Sequence, residues 1–267
     1  MVTVGVDVQD DRLEASVVGW SRTDAFVLAH VVLCGAPDED ATWAELDDLL
    51  RTRWKHPGGG TLAVDACLVD SGDRTDRVYA FCFSRLGRRI FAAKGVAGTR
   101  PVVEPSRGKV RGGRLMLVGV DVVKSALYDR LARGRALRFS DSLQPSYYEQ
   151  LASERKVVRY TRGQPVRRWE QKPGMRAGAL DCAVLACAAR HIVVLDVDRR
   201  ENELRQILPA ATPPRCGRPG SRRGEYSDTV TEIEVVLRRV VLPFTCHVER
   251  LGRPPVCPRR HRIACRR

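Results

Sequence analysis

Three short apolar segments at the start of the chain constrain its fold most. Residues 2–8, 13–20 and 25–33 are rich in valine and are separated by turn-forming residues such as Asp10 and Asp11. Short apolar runs divided by turns are typical of an antiparallel β-meander. The chain therefore opens with three predicted strands.

The rest of the first 200 residues alternates between helical and strand patterns. Helices are predicted at 42–54, 74–86, 121–132, 145–154 and 176–193. Strands are predicted at 62–69, 89–93 and 115–120, and a two-stranded ribbon at 156–170. A meander followed by alternating helices and strands indicates an α/β fold, a mixed β-sheet flanked by helices. Residues 95–113, which combine glycine, proline and basic side chains, are predicted to form a mobile loop facing the substrate.

The character of the sequence changes near residue 198. Residues 199–267 contain 16 arginines, no lysine and only seven acidic residues. Prolines, basic pairs and weak periodicity predict a partly disordered extension, apart from a possible strand or helix at 230–242. We therefore expect a folded domain over 1–197 and a basic Arg/Pro-rich extension over 198–267.

Charge and cysteine usage restrict the partners and the compartment. The chain has 46 Lys and Arg against 32 Asp and Glu, a net charge of +14, which favours a polyanionic partner such as nucleic acid. No stretch reaches the ~18 apolar residues of a membrane span, and the acidic N-terminal segment does not resemble a signal peptide. We expect a cytoplasmic protein with reduced cysteines. A zinc site in the extension is not predicted, because its spacing matches no standard finger; the residues considered were Cys246, His247, Cys257, His261 and Cys265.

Three aspartates stand in apolar surroundings where a lone charge is costly. Asp7 lies inside the first strand, Asp70 ends an apolar strand before Ser71, and Asp181 interrupts an apolar helix. A buried carboxylate needs a cation or a hydrogen-bonded partner. If the two strands are neighbours and the helix crosses them, the three carboxylates converge and could bind two Mg²⁺ or Mn²⁺ ions, which prefer oxygen ligands. Such a pair of ions could support phosphodiester hydrolysis.

Each aspartate also has a structural interpretation. Asp70 could cap the following helix, Asp7 could pair with a core arginine, and Asp181 could form a salt bridge on the helix surface. Lys94, after a strand, could approach a scissile phosphate or be a solvated lysine. Asp121 is most simply a helix N-cap, and a role beside the metals is the alternative.

Basic side chains in the predicted loop and ribbon could contact a DNA backbone, although solvated charge would explain them equally well. The loop candidates are Arg100, Arg107, Lys109, Arg111 and Arg114. The ribbon candidates are Arg159, Arg162, Arg167, Arg168 and Lys172, with Tyr160 and Trp169 between them. No feature of these segments indicates that they read base sequence.

Six segments in order across residues 1–195 resemble the nuclease region of GpA-type phage terminase large subunits. They are Gly5-Val6-Asp7-Val8-Gln9, Leu68-Val69-Asp70-Ser71-Gly72, Lys94-Gly95, Val118-Gly119-Val120-Asp121, Arg167-Arg168-Trp169-Glu170 and Ala179-Leu180-Asp181-Cys182. The resemblance implies an RNase H-like fold and an endonuclease that cuts concatemeric viral DNA during packaging. It also implies that Asp7, Asp70 and Asp181 are metal ligands. The implied partners are double-stranded DNA, a terminase ATPase region or chain, the small terminase subunit and the portal.

The sequence departs from that family in one respect. It contains no Gly-x-x-x-x-Gly-Lys-Ser/Thr phosphate loop, so we expect no ATP hydrolysis from this chain. A catalytically inactive DNA-binding or assembly module from a prophage remnant is the alternative to a nuclease. RNase H-like folds also include ribonucleases, junction resolvases and transposases, and the fold alone does not choose among them.

Overall fold

A computed structural model describes residues 1–56, 60–110, 113–134, 136–161 and 163–206. Its centre is an eight-stranded mixed sheet with the strand order β10-β3-β2-β1-β6-β7-β9-β8. The strands of this sheet are β1 (Val2–Gln9), β2 (Arg12–Trp20), β3 (Ala25–Cys34), β6 (Ala66–Asp70), β7 (Ile90–Val96), β8 (Val103–Val110), β9 (Gly113–Gly119) and β10 (Leu137–Phe139). Two small antiparallel pairs lie apart from it, β4 (Trp54–Lys55) with β5 (Thr61–Leu62) and β11 (Glu154–Thr161) with β12 (Gln164–Gln171).

The predicted meander is confirmed. β1 pairs antiparallel with β2 and β2 with β3. On its other side β1 pairs in parallel with β6, which pairs in parallel with β7, and β7 with β9. Because these four strands run in the same direction, their carboxyl ends lie at one edge of the sheet, where open α/β sheets bind ligands.

Helices cover both faces of the sheet, which explains why the central strands are apolar on both sides. The helices are α1 (Asp40–Arg51), α2 (Thr75–Phe83), α3 (Val120–Ala132), α4 (Pro145–Leu151), α5 (Gly178–Ala189) and α6 (Val197–Gln206). One core contains side chains of α3, α4 and α5, and the other contains side chains of α1 and α2. The mixed α/β sheet flanked by helices agrees with the predicted fold class.

Close contact between α5 and β1 depends on Gly5. A Cβ atom at this position would lie 2.1 Å from the carbonyl oxygen of Cys182 and 2.4 Å from the backbone nitrogen of Ala186. Neither backbone atom can rotate away, so any larger residue would push α5 off the sheet. Because β1 carries Asp7 and α5 carries Asp181, this contact also fixes the distance between the two acids.

Gly5→Ala is therefore expected to destabilise the protein by about 1–3 kcal/mol or more, the range for overpacking a tight core. Urea denaturation measures the loss. Gly87→Ala is the matched control, because nothing lies within 4 Å of a Cβ atom there. Equal stability of the two variants would contradict the tight contact.

Several predicted boundaries were wrong. The helix predicted at 42–54 ends at Arg51, and Trp54 lies in β4. The strand predicted at 62–69 is shorter, because Asp65 leaves the sheet and accepts a hydrogen bond from the backbone N–H of Val2 at 2.8 Å. Strand β10 was not predicted.

The mobile loop predicted at 95–113 was also wrong in part. Residues 103–110 form β8, an edge strand paired antiparallel with β9. An edge strand tolerates proline and exposed basic side chains, and the pairing register shifts between Pro105 and Lys109. The amino-acid composition that predicted a loop here is equally typical of an edge strand.

The first residues of the predicted extension form helix α6. Leu204 of α6 is buried, and Arg200 donates a hydrogen bond to Asp65 at 2.8 Å. The predicted boundary at residue 197 therefore falls at the start of a helix. The remaining extension, including the segment 230–242 and the cysteines and histidines considered for zinc, lies outside the described residues. In the described part of the chain, Cys67, Cys82, Cys182 and Cys187 are free thiols, and no helix is long and apolar enough to span a membrane.

Candidate active site

The fold brings the three predicted aspartates to one edge of the sheet. Val6 of β1 pairs with Val69 of β6, so Asp7 and Asp70 follow side by side on neighbouring parallel strands. Helix α5 packs across β1, β2 and β6 and carries Asp181 in its first turn. The convergence expected from the sequence is thus present in the arrangement of the backbone.

Asp7 is the most buried of the three, with 6% of its surface exposed. Burial, followed by repulsion from Asp181, raises the pKa of Asp7 to about 7, and a hydrogen bond from Gln9 Nε2 opposes this rise. The expected core arginine is absent from the described contacts of Asp7. Asp7 is therefore a buried acid that lacks a positive counter-charge.

Asp70 is held by the turn that follows its strand. The backbone N–H groups of Gly72 and Ser71 donate hydrogen bonds to it, and a Cβ atom on Gly72 would lie 3.0 Å from Asp70 Oδ2. Burial raises the pKa of Asp70, whereas these hydrogen bonds and the charge of Lys94 oppose the rise. Asp70 does not cap α2, whose N-cap residue is Arg74 with no side-chain cap.

Asp181 lies at the mouth of the site. Its side chain is 44% exposed and lies 3.6 Å from the ammonium of Lys124, so Asp181 does have an ion-pair partner, although that partner is a buried lysine of α3. Burial raises the pKa of Asp181 to about 6, Lys124 opposes this rise, and Glu154 and Asp70 add to it. Because solvent reaches this carboxylate, its raised pKa affects stability less than that of Asp7.

Two further charged residues of the site were not predicted as such. Lys124 of α3 and Glu154 at the start of β11 are both buried, and their side chains meet at 2.7 Å. The sequence did contain a signal that Lys124 is buried. Lys124 lies on the same buried side of α3 as Val123 and Leu127. A lysine on a buried stripe requires an acidic partner.

A fourth carboxylate, Glu14, lies directly opposite Asp7 on β2 and has cationic partners of its own. Arg12 Nε lies 2.6 Å from it and His30 Nε2 lies 3.4 Å from it. Burial opposes ionisation of Glu14, but the adjacent His30 and the hydrogen bond from Arg12 outweigh burial and hold the pKa of Glu14 below the ordinary value. Glu14 is therefore a structural acid that adds negative charge behind Asp7.

The donor set suits a hard divalent cation. Asp7, Asp70 and Asp181 supply carboxylate oxygens, and a cation between them would relieve the burial and the repulsion that raise the pKa values of Asp7 and Asp181. Among the described residues, however, no three His, Cys, Asp or Glu side chains already form a ligand cluster. The acids converge without enclosing a preformed cage.

A polar cleft gives access to Asp181. It is lined by Gln9, Asp10, Arg12, Gln171, Arg176 and Asp181. A second cavity, mostly apolar, lies at the opposite end of β1 between Met1, Trp20, Trp54 and Leu204. None of the three aspartates lines the apolar cavity, so the polar cleft is the candidate substrate site.

The remaining predicted residues are distributed around this edge. Lys94 is exposed near the carboxyl end of β7, one residue past the partner of Asp70. Asp121 is not an N-cap: it accepts a hydrogen bond from the backbone N–H of Gly98 at 2.7 Å, and α3 has no side-chain cap. The predicted DNA contacts that the structure describes as exposed are Arg100, Arg107, Lys109, Arg114, Arg159, Arg167 and Arg168, whereas Lys172 is partly buried. Arg111 and Arg162 lie outside the described residues.

A mixed sheet with acidic residues collected at the carboxyl ends of its parallel strands, crossed by a helix that adds another acid, is consistent with the RNase H-like nuclease class. Comparison with known proteins gives the family. The chain belongs to the endonuclease domain family of the terminase large subunit gpA, whose family model matches residues 1–202.

Two relatives are both described as "Terminase, large subunit". The one from Enterobacteria phage P21 is 29% identical over 209 residues, which cover 72% of this chain and 32% of the relative. The one from Escherichia phage lambda is 24% identical over 208 residues, with the same 72% and 32% coverage. The match thus spans about a third of the length of these relatives.

Proposed function

We propose that this chain is a divalent-metal-dependent endonuclease that hydrolyses phosphodiester bonds of double-stranded, concatemeric viral DNA during packaging. The observation that carries the proposal is the convergence of Asp7, Asp70 and Asp181, two of which have pKa values raised towards neutrality. Groups with strongly shifted pKa values in a cleft mark candidate functional sites.

Asp7, Asp70 and Asp181 would hold two Mg²⁺ or Mn²⁺ ions. When bound, such ions would activate water for attack on phosphorus and stabilise the leaving oxygen. The backbone N–H groups of Ser71 and Gly72 orient Asp70, and Lys124 restrains Asp181. The exposed Lys94, one residue past the partner of Asp70, would neutralise a phosphate oxygen.

The substrate proposal is supported by charge and by family. The net charge of +14 favours a phosphate polymer, and exposed Arg107 and Lys109 add positive charge along the edge strand β8. On the analogy with the terminase large subunits of P21 and lambda, its partners would be an ATPase region or chain, the small terminase subunit and the portal. We expect it to act in the cytoplasm of the bacterial host.

Plasmid cleavage by the purified chain tests the proposal. Nicking or linearisation is expected with Mn²⁺ or Mg²⁺ and should stop when EDTA removes the metal. Asp181→Asn should reduce cleavage by about a thousandfold or more, because it removes a charged ligand. Asp48→Asn on the exposed side of α1 is the matched control, and cleavage that persists in EDTA would contradict metal dependence.

The second candidate is a catalytically inactive module that holds DNA or packaging proteins. The specific observation in its favour is that the described residues form no preformed cluster of three metal-ligating side chains. This candidate predicts salt-sensitive DNA binding with no cleavage in any metal. Intact plasmid together with retarded DNA on a gel at low salt would favour it.

A further inference from the structure

The ribbon formed by β11 and β12 has two chemically different faces. Directly opposite residues of an antiparallel pair lie on the same face. The register therefore defines an inner face that contains Glu154, Lys156, Val158, Tyr160, Arg167 and Trp169. The outer face contains Arg155, Val157, Arg159, Arg168 and Glu170.

The inner face is attached to the active site at its base. Glu154 contacts Lys124 at 2.7 Å, which in turn lies 3.6 Å from Asp181. Next along the ribbon, Lys156 Nζ lies 3.1 Å from Ser125 Oγ, and Trp169 stacks on Tyr128 with ring centroids 4.7 Å apart. Helix α3 thus fixes the orientation of the ribbon relative to the three aspartates.

Beyond α3 the inner face is uncovered and carries side chains without a structural role. Val158 is 53% exposed and Tyr160 76% exposed. Arg167, opposite Val158, is exposed and has no acidic partner among the described residues. On the outer face, by contrast, Arg159 makes two hydrogen bonds to Glu170 at 2.7 and 3.0 Å, so part of the positive charge there is neutralised.

We propose that the outer half of the inner face is a second contact for the DNA duplex. Arg167 would neutralise one phosphate, and Tyr160 with Val158 would contact sugars or base edges in a groove. A two-stranded ribbon fits the major groove of B-DNA, and the charge of Arg167 complements the phosphate backbone. This proposal rests on the proposed function and deepens it, because it names the surface that positions the substrate.

The position of this surface sets a distance along the DNA. Tyr160 follows Glu154 by six residues on β11, which corresponds to roughly 20 Å at about 3.3 Å per residue. A duplex whose axis follows the ribbon would extend about six base pairs over this distance, at 3.4 Å per base pair. The sequence-based prediction placed Arg167 and Arg168 together as DNA contacts, whereas the register assigns them to opposite faces.

Salt-dependent binding distinguishes the two faces. Affinity for a duplex of about 30 base pairs is measured by fluorescence anisotropy in EDTA, where no metal-dependent cleavage occurs, across a range of salt concentrations. Arg167→Ala should reduce the slope of log affinity against log salt by about 0.9, the effect of losing one phosphate contact. Tyr160→Ser should weaken binding by about fivefold at every salt concentration without changing the slope. Arg155→Ala, on the outer face, removes the same charge and should keep the slope of the unmodified chain.

The outcomes separate the two proposals. A slope reduced equally by Arg167→Ala and Arg168→Ala would overturn the assignment to one face, as would an unchanged slope in Arg167→Ala. If the variants give either of these results while the unmodified chain still cleaves plasmid, the proposed nuclease function stands and the proposed DNA-contact surface is wrong. An unmodified chain that does not bind the duplex contradicts the DNA substrate itself.

Discussion

Asp7→Asn is expected to abolish metal-dependent cleavage and, at the same time, to stabilise the metal-free protein at pH 8 by on the order of 3 kcal/mol. Both effects have one cause. The fold holds Asp7 with 6% exposure next to other carboxylates, which provides a metal ligand but is unfavourable when no metal neutralises it. Asparagine keeps the shape and can still accept the hydrogen bond from Gln9, but carries no charge.

The raised pKa of Asp7 determines how the stability of the metal-free chain changes with pH. Asp7 has a pKa of about 7 in the folded chain and 3.8 as its ordinary value. A raised pKa means that the folded state binds the proton more tightly, so this stabilisation is complete below about pH 4 and is lost as pH rises through about 7. The stability of the metal-free chain should therefore fall between pH 4 and pH 7, and Asp7→Asn should remove much of that fall.

Thermal unfolding in EDTA at pH 5 and pH 8 measures this difference. At pH 8 the variant should melt roughly 6–12 °C above the unmodified chain, since each kcal/mol shifts the midpoint by about 2–4 °C in a chain of this size. The gap should narrow at pH 5, and added Mn²⁺ should raise the melting temperature of the unmodified chain more than that of the variant. Equal melting temperatures at pH 8 would show that Asp7 is not held as an uncompensated charge.

The sequence identified the three aspartates as candidate site residues because each is a charged side chain inside an apolar run. A buried carboxylate is costly unless a cation or a hydrogen bond compensates it. That Asp7 and Asp70 lie on neighbouring parallel strands, β1 and β6, was an assumption of the sequence analysis that only the structure could test. The same reasoning did not predict β8, because an edge strand carries exposed basic residues and a proline, as a loop does. What makes this segment an edge strand and not a loop is its pairing with β9. That pairing is a tertiary contact and leaves no signal in the local sequence.

Glu154 was missed for a related reason. Local patterns placed it at the end of a predicted helix at 145–154, where an acid needs no explanation. Its burial comes from a tertiary contact with Lys124, 30 residues earlier in the chain. The two faces of the ribbon could likewise not be assigned from sequence, because a change of one residue in register exchanges them.

Lys124→Met is expected to destabilise the chain by about 3–5 kcal/mol, the usual effect of removing one partner of a buried ion pair. Lys124 is 7% exposed and Glu154 9% exposed. Glu154 Oε2 has no hydrogen-bond partner among the described residues, so Glu154 depends on Lys124 for its compensation. Methionine fills a similar volume, and the loss measured by urea denaturation therefore reports the charge.

A double variant identifies the cause of that loss. Adding Glu154→Gln to Lys124→Met removes the uncompensated charge, so the double variant should recover stability relative to Lys124→Met, with a coupling energy of about 1–3 kcal/mol. Lys109→Met is the control, because it removes an exposed lysine of the edge strand β8 and should change stability by no more than about 0.5 kcal/mol. If Lys124→Met is as stable as this control, Glu154 is solvated in solution, and the buried pair neither anchors the ribbon to α3 nor restrains Asp181.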